Sequence, residues 1–300
     1  MLYLFLACAS TKTSETAEPN PPDVEDTAIT EPTEITYYRD IQPLIERGCN
    51  RCHRAGGQTF PMDDHTYPVS YSQLIVREVT SGVRPPPVSN SGCRPYTDDT
   101  WFLDEPSQAL IERWHNEGAV VGDPADAIPE IDFSSVALET NHFFEGQYTP
   151  PRNNISRCFA FPLNNEQPLK LAALNVQIGN EVTAHHANLF LVSEEESFPT
   201  SDQNQPGFSC AEKGEQDWTY LMGWTNGSKP LTFPQGPHYE LPANSQIVLR
   251  VFYTIRNTDD SVSDTSGFGY TVQTDENSVP VSRHLLEVTG FTIPGNTDDY

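Results

Sequence analysis

From about Pro129 to Tyr300 the chain never sustains a 3.6-residue apolar period. Its apolar residues instead come in short runs: CFAFPL from Cys158, LKLAALNVQI from Leu169, HANLFLV from His186, QIVLRVFYTI from Gln246, FGYTV from Phe268 and HLLEVTGFTI from His284. Asn, Gly and Pro separate these runs, and the chain holds 26 prolines in 300 residues. Such punctuation shuts out long helices and favours strands joined by tight turns. The expectation for this part is an all-β sandwich or jelly roll.

The preceding segment reads differently. Residues 37–57 are YYRDIQPLIERGCNRCHRAGG, in which Ile41, Leu44 and Ile45 recur at helical spacing. Cys49-Asn50-Arg51-Cys52-His53 therefore follows a short helix. The C-x-x-C-H spacing puts two thiols on one turn, where they can form thioethers to both vinyl groups of one porphyrin. His53 then falls under the iron as proximal ligand, so haem c is the expected cofactor. A zinc site would need a second Cys pair, and Cys93 stands alone. A thioredoxin-like site would need a βαβ context that is absent.

Tyr37 to Asp126 resembles a class of bacterial cytochrome c domain with the pattern YYxDIxPIxxxxCxxCHxxGG, then SGxMPPW, then a last helix ending WxxxGAPxGDP. The matching pieces are Tyr38 to Gly57, Ser81-Gly82-Val83-Arg84-Pro85-Pro86-Pro87, and LIERWHNEGAVVGDP from Leu110. The resemblance implies a small all-α fold and a Met before the Pro-Pro pair as distal iron ligand. Arg84 stands at that place and cannot ligate iron. Met62, His65 and His115 remain as candidates. Met62 is preferred, being the only Met of the segment; a five-coordinate iron is the alternative.

The first ten residues, MLYLFLACAS, are apolar up to Cys8. Phe5-Leu6-Ala7-Cys8 resembles the lipobox of bacterial lipoproteins, which implies lipidation at Cys8 and a leader over residues 1–8. Residues 9–35 are rich in Thr, Glu and Pro and lack aromatics, the composition of a disordered acidic linker. The expected location is the bacterial cell envelope, periplasmic or outer-membrane, with membrane contact only through the N-terminal anchor. The formal net charge of −25 disfavours nucleic acid and anionic lipid as partners. It is compatible with a basic redox partner. With Cys8, Cys49 and Cys52 assigned, Cys93, Cys158 and Cys210 are left, and an exported protein can keep a disulfide among them.

A second resemblance rests on ordered landmarks. These are Arg157-Cys158-Phe159, Ala184-His185-His186-Ala187, Gly223-Trp224-Thr225-Asn226-Gly227, Phe233-Pro234-Gln235-Gly236, Leu241-Pro242-Ala243 and VTGFTIP from Val288. They resemble the N-terminal half of the copper type II, ascorbate-dependent monooxygenases, the group of peptidylglycine α-hydroxylating monooxygenase. The resemblance implies an electron-supplying copper on His185, His186 and a third His in a later strand. That third place falls at Phe252, which has no lone pair, so one of three protein ligands is lost. His238 or His284 could substitute as the third ligand, but each reads as a surface residue, and Met222 reads as core. On a regular strand the side chains of His185 and His186 would point to opposite faces, one buried and one exposed, with no metal. The resemblance also implies a Cys158–Cys210 disulfide, closing a loop of about 50 residues at a gain of roughly 3–4 kcal/mol. It places catalytic copper in a further β domain that would begin about where this chain stops, so no catalytic residue is expected here.

The resulting organisation is a leader (1–8), a linker (9–35), an all-α cytochrome c domain (36–127) and an all-β jelly-roll sandwich (128–300). The expected function is electron transfer by a c-type haem beside a degenerate copper module. The alternatives are part of a copper-dependent monooxygenase fed by haem, and a tethered β-sandwich binding module without redox chemistry.

Overall fold

A computed structural model describes residues 34–57, 59–85, 103–132, 137–151, 154–210, 218–254 and 263–282. Cys8, Cys93, His284 and the segment 288–294 lie outside the described residues, as do the leader and all but the last two linker positions. Chain contacts divide the protein into residues Met1–Asp132 and Phe133–Tyr300, a few residues beyond the expected border at 127/128.

In the first unit a π-helical turn, Tyr37–Ile41, runs into α1 (Gln42–Gly48). Three further helices follow: α2 (Thr66–Ser70), α3 (Ser72–Thr80) and α4 (Glu105–Asn116). Asp104 starts α4: its carboxylate accepts from the Ser107 N–H at 3.0 Å, and Pro106 fills the first turn, where no N–H is needed. Ile41, Ile45, Ile75, Val79, Ile111 and Trp114 form the apolar cluster of this unit. The backbone after α4 returns to the start of the unit, with the Tyr37 N–H donating to Val120 O at 2.8 Å. Gly122 permits this approach at φ +80°, because a Cβ there would lie 2.5 Å from Thr36 Cβ.

The second unit holds two main sheets. Its strands are β1 (Thr140–Phe143), β2 (Ile155–Pro162), β3 (Leu169–Gln177), β4 (Ala184–Val192), β5 (Ser201–Asp202), β6 (Gln205–Pro206), β7 (Thr219–Thr225), β8 (Leu231–Thr232), β9 (Pro237–Leu241), β10 (Gln246–Tyr253), β11 (Gly267–Val272) and β12 (Val279–Pro280). One sheet runs β1-β11-β3-β9-β12, with β8 also on β3; the other runs β2-β10-β4-β7. On β10, Ile247, Leu249, Val251 and Tyr253 are fully buried in the main core, while Gln246, Arg250 and Phe252 alternate with them on the other face. Part of that outer face is covered by a second cluster of Phe190, Val192, Phe208, Trp218 and Val248.

A disulfide joins Cys158 to Cys210 within this second cluster, with Cα atoms 5.3 Å apart. The buried Arg157 gathers the same loop. Its guanidinium donates to the carbonyls of Asp202, Gln205, Pro206 and Gly207 at 2.9–3.1 Å. A buried guanidinium is tolerated where its donors are satisfied in this way.

The expected fold class needs correction. The protein is mainly β, with 32% strand against 20% helix, and its sheets are open rather than closed into a jelly roll. The helices do not make a small all-α domain. Prolines 43, 61, 68 and 85 and glycines 48, 56, 57 and 82 interrupt the apolar period, so α2 has 5 residues and even α4 only 12. Much of the first unit packs through irregular backbone instead. The parallel pairing of β12 on β9 also departs from an antiparallel jelly roll.

Candidate haem-attachment and two-histidine sites

The C-x-x-C-H segment is one tight turn at the end of α1. The N–H groups of Cys52 and His53 both donate to Cys49 O, each at 3.0 Å. The Cys49 side chain packs against the apolar cluster of this unit. Neither Cys49 nor Cys52 is half of a disulfide. Burial pushes the Cys49 thiol up to about 12, with the Cys52 and Glu46 charges adding to the effect. One turn earlier the buried Glu46 accepts from Asn50 Nδ2 at 2.8 Å and from the Ile131 N–H at 3.3 Å. Burial holds its carboxyl above the ordinary range.

His53 is oriented by the loop that follows. Its Nδ1 lies 3.1 Å from Phe60 O. A carbonyl only accepts, so Nδ1 carries the proton and Nε2 carries the lone pair. The ring also meets Phe60 edge-on at 4.7 Å, and Phe60 stacks with Tyr67 at 5.7 Å and lies tilted against Tyr71 at 5.9 Å. All three aromatics are exposed. Two thiols, an imidazole and exposed aromatic rings are residue types that suit a haem, which Cys49, Cys52 and His53 would hold.

The distal candidates are placed as follows. The Met62 N–H donates to His53 O at 2.8 Å, and its side chain is buried in the apolar cluster. It thus enters on the loop that holds the Nδ1 edge of His53. His65 Nδ1 lies 3.0 Å from the Tyr38 hydroxyl, and His115 Nδ1 lies 2.8 Å from Ser72 Oγ. His115 also lines a cavity of about 550 Å³ with Gln73, Leu74, Val76 and Arg77.

His185 and His186 depart from the opposite-face pattern of a regular strand. Phe252 pairs with His186 and Tyr253 with Ala184, so His185 is the extra residue of a β-bulge. A bulge re-aims a side chain. Here Ala184 and Ala187 keep the core face, while both imidazoles stand clear of it with their Nδ1 atoms 3.0 Å apart. One nitrogen donates and the other accepts. Imidazole nitrogens suit copper and zinc, and two this close could both be offered to one ion. The residues present could hold a metal as a pair of neutral imidazoles, with the proton of the donating Nδ1 moving to that ring's Nε2.

Phe252 lies flat on His186, with ring centroids 4.7 Å apart and planes 12° apart. Burial lowers the His186 pKa, helped by His185 and Arg250, which favours the neutral imidazole. Among the described residues, no group of three or more His, Cys, Asp or Glu is arranged as a metal site. His238 is not the surface residue expected: it is 1% exposed, on β9 of the other sheet. Met222 lies in the main core.

Sequence reasoning missed the bulge and the Phe60 carbonyl. The first had no signal in residue types. The second follows from a backbone atom, which composition does not reveal. Among the described residues no helix is long and apolar enough to cross a membrane. In comparisons with known proteins, no family model matches the chain and no curated protein matches it.

Proposed function

We propose that the chain is an exported electron-transfer protein carrying one covalent haem on Cys49, Cys52 and His53, with a two-histidine metal centre in its β unit. The observation that carries this reading is the Nδ1–H of His53 held by Phe60 O at 3.1 Å, beside two unbridged thiols on one turn. In this reading the cysteines fix the macrocycle, and Phe60 O sets the tautomer so that Nε2 faces the iron. Phe60, Tyr67 and Tyr71 keep water from one edge. Haem, when bound, supplies a one-electron iron couple. The Cys158–Cys210 disulfide supports export, since such bonds persist in oxidising compartments. Lipidation at Cys8 would then tether the protein to the cell envelope, and its acidity would suit a basic redox partner.

The test is a pyridine haemochrome spectrum of protein made with c-type maturation. A c-type spectrum that Cys49→Ser and Cys52→Ser each perturb is expected; a b-type spectrum, or none, overturns the reading.

A second reading, electron delivery to a copper-dependent monooxygenase centre, is favoured by the bulge that brings His185 and His186 together. Its test is copper uptake by the wild type and by Phe252→His. The wild type should bind one copper and Phe252→His should bind it more tightly. Equal, negligible uptake by both would remove copper from the account.

A further inference from the structure

Three oxidisable rings of the first unit lie in a row. Trp114 is 0% exposed and Tyr37 1%, both in the apolar cluster, whereas Tyr38 is half-buried. The Trp114 and Tyr37 ring centroids are 6.2 Å apart, and those of Tyr37 and Tyr38 5.3 Å. His65, at the start of α2, lies 5.7 Å from Tyr38 and 6.3 Å from Tyr37. Tyr and Trp can each lose one electron, but a phenol does so readily only when its proton can leave as well. The three rings differ in this respect. The Tyr37 hydroxyl is buried with no hydrogen-bond partner. The Trp114 Nε1–H donates to Val120 O at 3.0 Å, and a carbonyl is too weak a base to keep the proton. The Tyr38 hydroxyl does meet a base, at 3.0 Å from His65 Nδ1. A phenol is a stronger donor than a neutral imidazole N–H, so the hydroxyl donates and Nδ1 accepts, with the ring proton on Nε2. The adjacent Asp64 carboxylate is held below the ordinary range by hydrogen bonds from Thr66 and by the His65 charge, so it is an anion placed to offset a proton gained by His65.

We propose that Tyr38 and His65 form a redox-active tyrosine site, at which a one-electron oxidation reaching the core of the first unit comes to rest. A metal-complex oxidant takes one electron, and its charge falls by one. The Tyr38 O–H bond breaks, the proton bonds to His65 Nδ1, and a neutral tyrosyl radical remains beside an imidazolium. Re-reduction reverses both transfers. Trp114 and Tyr37 pass the oxidation outward, since neither has a base to take its proton, and half-buried Tyr38 ends their row. The site needs neither a haem on Cys49 and Cys52 nor a metal in the β unit, so it stands or falls apart from the function proposed above.

The test oxidises the full chain with flash-generated tris(bipyridine)ruthenium(III). Radicals are followed by transient absorption and, after freezing, by electron paramagnetic resonance. The wild type should give a tyrosyl radical that forms more slowly in heavy water. Tyr38→Phe keeps the ring and should remove that radical, while radicals on other tyrosines, such as the exposed Tyr67 and Tyr71, form a background common to both proteins. His65→Ala should slow its formation at least about tenfold, and added imidazole should restore part of the rate. A purely structural histidine would show no such rescue. Equal radical yields in the wild type and Tyr38→Phe overturn the site. An unchanged rate in His65→Ala, or a slowed rate that imidazole leaves as it is, overturns the proton transfer to His65 and the proposal with it. If Tyr38→Phe does not fold, the His65→Ala rate and its response to imidazole decide alone.

Discussion

Two hydrogen bonds tie His53 to the loop after it: its own Nδ1–H to Phe60 O, and the Met62 N–H to His53 O. Met62 thus lies toward the Nδ1 edge of the ring, with its side chain buried among Ile41, Ile45 and Trp114. Burial there makes Met62→Ala destabilising by about 2–4 kcal/mol in chemical denaturation. If the proposed haem is bound with Met62 as its distal ligand, the same variant should also change the ferrous haem spectrum; an unchanged spectrum would assign Met62 to packing alone. In the β unit, Asp264 Oδ2 accepts from the Tyr253 hydroxyl at 2.7 Å and from Ser266 Oγ at 2.6 Å. Burial raises its pKa. The folded chain therefore holds a proton that the unfolded chain releases. Its stabilising contribution is full below about pH 3.9, the unfolded value, and is lost as pH rises through the higher folded value. Asp264→Asn keeps an acceptor there and removes the titration. Urea denaturation from about pH 4 to pH 8 should show a shallower pH dependence in that variant.

Among the elements, the bulge in β4 is the decisive one for the second site. Deleting His185 would bring Ala184 and His186 into a regular ladder opposite Tyr253 and Phe252. Stability should change by less than about 1 kcal/mol, as for an exposed position outside the core. Copper affinity should fall further than the roughly 10–100-fold that loss of an outer ligand partner costs. Denaturation and copper titration of one variant separate the two effects. The strands themselves were legible: β2, β3, β4, β10 and β11 fall on the apolar runs beginning at Cys158, Leu169, His186, Gln246 and Phe268, because alternation and turn residues act locally. The C-x-x-C-H turn was legible for the same reason. The helical unit was read too simply, since its apolar spacing is broken by Pro and Gly and its packing depends on irregular backbone. The bulge was illegible because a register shift depends on the partner strand, and His185-His186 would read the same in a regular ladder.

For the whole molecule, charge and sulfur chemistry matter most. A net charge of −25 makes encounters with a basic protein sensitive to salt. If the chain is the electron-transfer protein proposed, its reaction with a basic acceptor, followed by stopped flow, should slow at least about tenfold from low to physiological ionic strength. A flat salt response would exclude steering by the acidic surface. The four cysteines of the described residues meet two opposite fates on this reading. Cys158 and Cys210 must lose electrons to join, whereas Cys49 and Cys52 must stay reduced until they add to vinyl groups. Thiolate is the species that oxidises, and burial leaves almost none of it at Cys49 near neutral pH. On the proposed reading, an oxidant would therefore close the Cys158–Cys210 bond in the β unit before it consumed Cys49, which would keep that thiol available for the porphyrin.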